Sequence, residues 1–162
     1  MAEHQKYDLL RKIGEVEIRK YHPCVMADVI VNAEYERAGN IGFRPLVTYI
    51  SQNSIAMTAP VVQEQQENKS WVVSFVMPAR MQLSQLPLPK DAKVKLREIK
   101  EHKAAALVFR GITNLSKVQA KESELRETLN KEGIKIAGAL KIARFDPPWK
   151  PGFMRHNEVI LP

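Results

Sequence analysis

Apolar and charged side chains alternate from Glu15 to Tyr21, and after a His22-Pro23 break the run from Cys24 to Val31 is rich in branched residues. A period of two predicts strands, here joined by a tight turn. Farther along the period changes: Phe43, Leu46, Val47 and Ile50 fall at i, i+3, i+4 and i+7. That stripe predicts a helix ending near Asn53, with Pro45 tolerable in its first turn. Strand-like runs follow from Ser54 to Val62 and from Trp71 to Met77, separated by the polar stretch QEQQENKS, a hairpin loop by composition. Pro60 has no N–H to donate, so it must lie at a sheet edge or bulge. A proline-rich connection occupies Pro78 to Pro89.

The second half repeats this order. Lys93 to Ile99 alternates, and Ala104 to Phe109 reads as a buried strand closed by Gly111. A helix is predicted from Ser116, with Gln119 as its capping-box partner, Val118, Leu125 and Leu129 on its inner face, and Gly133 as its stop. Strands are expected from Ile134 to Phe145 and from Asn157 to Leu161. Each half thus reads strand, strand, helix, strand, strand, over about 7–78 and 91–162. The expected fold is one α+β domain: a distorted antiparallel or mixed β-barrel of about eight strands, with two external helices, built from two pseudo-symmetric ββαββ halves. Halves that face each other leave a groove where they fail to meet.

Composition narrows the function classes. The 162 residues include 25 Lys plus Arg against 18 Asp plus Glu, with 44% hydrophobic content, which suits a single domain able to bury a full core. The lone Cys24 excludes an intrachain disulfide, a zinc ribbon and a CxxC redox pair. A reducing, cytoplasmic location is the expectation. No apolar run approaches the ~20 residues that span a bilayer, and charges recur through the first twenty residues, so neither a membrane span nor a signal peptide is expected. The net charge of +7 favours anionic partners. Because Lys and Arg are dispersed, nucleic acid is not expected among them. No GxSxG, GxxxxGK[ST], GxGxxG or HExxH motif occurs.

Two stretches need a reason. IAMTAPVV, from Ile55 to Val62, is uncharged, carries small residues and suits the wall of a cavity. DPPWKPGFMRHNE, from Asp146 to Glu158, packs three prolines, two aromatics and several cations into one loop. Prolines fix a loop, and fixed loops hold sites; Trp149 and Phe153 there either plug one end of the core or contact a ligand. His4, His22, His102 and His156 occur singly, and His156 adjoins Arg155 and Glu158.

Together with EVEIRKY, FRPLVTYI and VSFVMP, these stretches resemble the SOUL haem-binding protein family from Tyr7 to Leu161. The resemblance implies a barrel of two similar halves, related to the small-molecule-binding domains of bacterial multidrug-responsive regulators. It also implies non-covalent binding of haem or another tetrapyrrole, as carrier, buffer or sensor. In such proteins the groove runs along the first helix and the late proline loop. That points to Phe43, Val47 and Ile50 for the porphyrin face, to Lys150 and Arg155 for the propionates, and to Met57, Met77 and Met154 as soft side chains against the ring. His156 stands where the family more often has a second arginine, which makes it the favoured axial ligand if iron is coordinated at all. The alternative is an enzyme acting on a small hydrophobic or tetrapyrrole substrate, with Glu158 as general base beside Arg155. Glu158 is then either shielded with a raised pKa or an exposed strand-end carboxylate paired with Arg155.

Overall fold

The structure, a computed structural model, describes residues 2–146 and 150–162. In chain order its elements are β1 (Glu3–His4), β2 (Tyr7–Ile13), β3 (Val16–Tyr21), β4 (Cys24–Val31), α1 (Tyr35–Gln52), β5 (Thr58–Ala59), β6 (Val61–Gln65), β7 (Trp71–Val76), β8 (Lys95–Ile99), β9 (His102–Arg110), α2 (Leu115–Lys131), β10 (Lys141–Arg144) and β11 (His156–Leu161), with short 3-10 turns at Leu83–Gln85 and Gly152–Met154. Nine strands form one antiparallel sheet in the order β2-β3-β9-β11-β10-β6-β7-β4-β8, and β1 pairs with β5 in a separate two-residue parallel ladder.

Two connections force that sheet to curl. Five strands separate β3 from β4, yet only His22 and Pro23 join them; five strands also separate β8 from β9, joined only by Lys100 and Glu101. The flanks must therefore swing round until they nearly meet. The outermost strands β2 and β8 do not pair with each other among the described residues, so the distorted antiparallel or mixed barrel of about eight strands expected is, in the structure, a curled nine-stranded antiparallel half-barrel.

Strand alternation sorts side chains onto two faces. On one, Val25, Ala27, Val29 and Val31 of β4, Trp71, Val73 and Phe75 of β7, and Val159 and Leu161 of β11 join Leu46, Tyr49, Leu125 and Leu129 of the helices in one core. There α1 rests on β4 and β7, and α2 on β9 and β11. The other face carries Met26, Val62 and Val76, and separately Tyr21, Ala104, Ala106, Ala143 and Ile160. Among the described residues no helix covers these, and the curl of the sheet closes over them.

Several boundaries differ from the sequence expectation. Helix α1 begins at Tyr35, so Pro45 lies in mid-helix instead of the first turn, where it omits one backbone hydrogen bond. Its buried stripe is Tyr35, Ala38, Gly39, Gly42, Leu46, Tyr49 and Ile50. Three of those are Ala or Gly, too small to register as apolar periodicity. The shifted phase leaves Phe43 at the edge of the stripe, 40% exposed. Strand β2 was not expected, since YDLLRKI buries almost nothing along an exposed edge. The strand foreseen from Ile134 shortens to β10, and β6 runs into the expected polar loop. Pro60, between β5 and β6, occupies the kind of break expected of it.

Helix α2 starts one residue before Ser116 and is capped by Asn114, whose Oδ1 accepts from the Lys117 N–H at 2.8 Å. The Gln119 capping box is therefore replaced by an Asn cap. An Asn114→Ala variant should lose about 1 kcal/mol, read as a melting temperature lower by about 2–4 °C; an unchanged melt would show that this cap contributes nothing.

Candidate functional site

Helix α1 is seated along β7 by three contacts. Tyr35 packs edge-on against Trp71 with ring centroids 5.3 Å apart, and Phe43 does the same against Phe75, also at 5.3 Å. Between them Gly42 lies so close to Val73 that an added Cβ would stand 2.6 Å from its Cβ. Phe43 and half-buried Val47 then form an apolar edge on the solvent side of this seam. Ile50 and Met77 do not reach that edge: both are buried in the core. Met57 is exposed, before β5.

The segment after β10 is tied together by its own polar groups. Lys150 Nζ lies 2.9 Å from Asp146 Oδ1, Arg155 Nε donates to the Lys150 carbonyl at 2.9 Å, and Arg110 Nη1 donates to the Met154 carbonyl at 3.3 Å. Burial opposes ionisation of Asp146, but the His156 N–H and the Lys150 ammonium hold its pKa below the usual carboxylate value. Phe153 and Met154 point outward, 79% and 47% exposed, so Phe153 is not a plug of the core. Trp149 lies outside the described residues.

His156 and Glu158 project to the inner face of the half-barrel, opposite the helices. Alternation along β11 requires this, because Val159 and Leu161 face the helices. Glu158 is 3% exposed and accepts from both Nη1 and Nη2 of Arg19, itself 1% exposed. Arg19 also donates to Glu17 and to the Tyr21 hydroxyl, each at 2.9 Å, and its guanidinium carbon lies 4.1 Å from the centre of the Tyr7 ring. His156 Nε2 sits 2.9 Å from Glu158 Oε2, and its ring packs edge-on against Phe145 at 4.6 Å.

Glu158 is therefore neither exposed nor paired with Arg155. Burial alone would raise its pKa, but the hydrogen bonds from His156 and Arg19 outweigh that and lower it. His156 and Arg19 together replace the raised value expected of a general base with a lowered one, and Arg19 is not among the residues that the sequence motifs single out. The signal was present in EVEIRKY, where Glu17, Arg19 and Tyr21 share the face opposite Val16 and Ile18.

A second polar cluster occupies the inner face beyond Val62. Arg97 Nε lies 2.7 Å from Asp28 Oδ2, Ser74 donates to Asp28, and Lys141 Nζ stands 4.0 Å from Glu64. Burial lowers the Lys141 pKa and raises that of Cys24. A cleft of about 480 Å³ opens beside these groups, lined by Asp28, Ile30, Glu64, Val72, Lys95 and Arg97. Among the described residues no group of three or more His, Cys, Asp or Glu side chains could hold a metal ion, and no helix is long and apolar enough to cross a membrane.

The family model described as SOUL heme-binding protein matches residues 2–162. The chain belongs to that family. Among solved structures, a hydrolase from Listeria innocua superposes with a TM-score of 0.63 at 13% identity, over 91% of each chain. The EcmrR C-terminal domain gives 0.68 at 9% identity over 96% of each, and EcmrR in a complex with DNA gives 0.70 at 11% over 91% of this chain and 56% of that one. At such identities these likenesses establish a shared fold and nothing of activity. No curated protein matches by sequence.

The SOUL family implies haem, and the side chains fit a tetrapyrrole unequally. Phe43 and Val47 offer an apolar edge, and cations lie in the 150–155 segment. His156 does not fit iron ligation from that edge, because it faces the other side of the sheet with Nε2 committed to Glu158.

Proposed function

We propose that this SOUL-family chain binds haem or a related tetrapyrrole non-covalently, as carrier, buffer or sensor. The ring lies against Phe43 and Val47 of α1, and its carboxylates point toward the cationic segment that contains Lys150, Met154 and Arg155. The observation that carries this reading is the family match over the whole chain. The half-exposed aromatic edge of α1 supports it, since a flat apolar ring gains most from such a surface. Duplication of the chain belongs to the same reading: outward from the middle of the sheet, the order β10-β11-β9-β3 mirrors β6-β7-β4-β8.

The enzyme reading has less support. A base must be free to take a proton, whereas Glu158 already accepts from two guanidinium nitrogens and sits against His156. Nor does the surrounding geometry bring Arg155 to it.

The test is a titration with hemin and with metal-free protoporphyrin. Saturable binding of both at similar affinity is the expected result, because the groove reads the ring and its carboxylates rather than the metal; absence of saturable binding to either would overturn the proposal. A His156→Ala variant should keep both the hemin affinity and the Soret maximum. A shifted Soret band in that variant would restore His156 as an iron ligand.

A further inference from the structure

We infer that Arg144 is a further carboxylate anchor, beside the apolar edge that Phe43 and Val47 form on α1. The inference rests on the tetrapyrrole reading and names the anionic subsite within it. Arg144 ends β10 on the helix-covered face, in a row that continues through Val61 of β6 to Phe75 of β7. Its guanidinium fits against α1 only because residue 39 is glycine: a Cβ there would stand 2.5 Å from Nη2 and 2.8 Å from Nη1. Any side chain at that position would evict it.

The electrostatics of this place are incomplete. Arg144 is half-buried, and no carboxylate lies within ion-pair distance of it among the described residues. Glu36, the acid in the first turn of α1, is turned away and accepts from the Leu115 N–H at 3.0 Å. Gly39 begins the second turn of α1, near the positive end of the helix, where a neighbouring cation adds to the potential instead of relieving it. The cations named from the loop are differently placed: Lys150 is paired with Asp146, and Arg155 is bonded to the Lys150 carbonyl. Arg144, by contrast, has no carboxylate partner among the described residues; its Nη nitrogens lie against α1 at Gly39, and its charge acts on the Tyr35 hydroxyl.

The apolar half of the ligand follows from helix geometry. Residues four and eight beyond Gly39 are Phe43 and Val47, so cation and apolar edge lie along one side of α1. The row from Arg144 to Phe75 crosses two inter-strand spacings, about 10 Å. A flat apolar acid meets both ends: its carboxylate takes the guanidinium in the two-pronged geometry arginine favours, and its body covers Phe43.

The experiment compares protoporphyrin with its dimethyl ester, on the wild-type chain, Arg144→Gln and Gly39→Ala, by absorbance and tryptophan quenching. The wild type should prefer the free acid. Arg144→Gln should weaken the free acid roughly tenfold to a hundredfold, the range of a charge-assisted pair, and leave the ester unchanged. Gly39→Ala keeps the charge but displaces it and should show the same selective loss, with circular dichroism confirming the fold. If the wild type binds the acid and both variants bind it equally well, or if acid and ester weaken together, Arg144 is not the anchor and the tetrapyrrole reading stands without it. If the wild type binds neither compound, the reading itself fails and takes the anchor with it.

Discussion

Arg19→Met should lower the melting temperature by about 6–20 °C. The variant keeps the aliphatic bulk beneath Tyr7 and removes the guanidinium from a site where the side chain is 1% exposed. Glu158, 3% exposed, then loses both of its arginine bonds. Breaking a buried pair by removing one partner costs about 3–5 kcal/mol, because an uncompensated charge stays inside. At about 2–4 °C per kcal/mol for a chain of this length, the stated range follows. The double variant Arg19→Met with Glu158→Leu removes both charges and should recover most of the loss. A single variant that melts like the wild type would mean that water reaches Glu158 and that the inner face is not sealed.

The same network gives stability a pH dependence of known sign. The folded-state pKa of Glu158 is depressed, so the pair contributes fully above the unfolded-chain value of about 4.3 and is lost as pH falls through the lower folded value. Asp146 is depressed too and acts in the same direction. Acid melts of Arg19→Met should therefore be flatter below about pH 4.3 than those of the wild type.

What the sequence made legible follows from where alternation and bulk are large. Leu125, Leu129, Val73 and Val159 each mark a face unambiguously, and the two-helix, antiparallel α+β fold is readable from such residues. Helix α1 was misphased because its contact surface is built from Ala38, Gly39 and Gly42, whose value lies in their smallness. Strand β2 was invisible because an exposed edge strand has no buried side to imprint a period. The site was harder still. Arg19 and Glu158 are 139 residues apart, and Arg144 meets Gly39 across more than half the chain; no local pattern encodes either meeting. The split of Phe43 from His156 onto opposite faces required the register of β11, which a loop motif read as one string cannot carry.

Trp71→Ala should be as damaging as the loss of Arg19, and for a reason tied to the seating of α1. Trp71 is 5% exposed and packs on Tyr35, the first residue of α1, while Val73 and Phe75 receive Gly42 and Phe43 farther along. Removing the indole leaves a void under the start of the helix. Truncating a buried tryptophan costs about 3–5 kcal/mol, again a melting temperature lower by about 6–20 °C. Because Gly39 and Phe43 ride on the same helix, hemin affinity should fall with it. Phe43→Ala provides the contrast: its ring is 40% exposed, so stability should change far less while hemin affinity falls comparably. Melting curves and hemin titrations on the two variants separate the roles. If Trp71→Ala melts within 2 °C of the wild type, the β7 seam does not hold α1; if Phe43→Ala binds hemin undiminished, the ring does not lie on this edge of the helix.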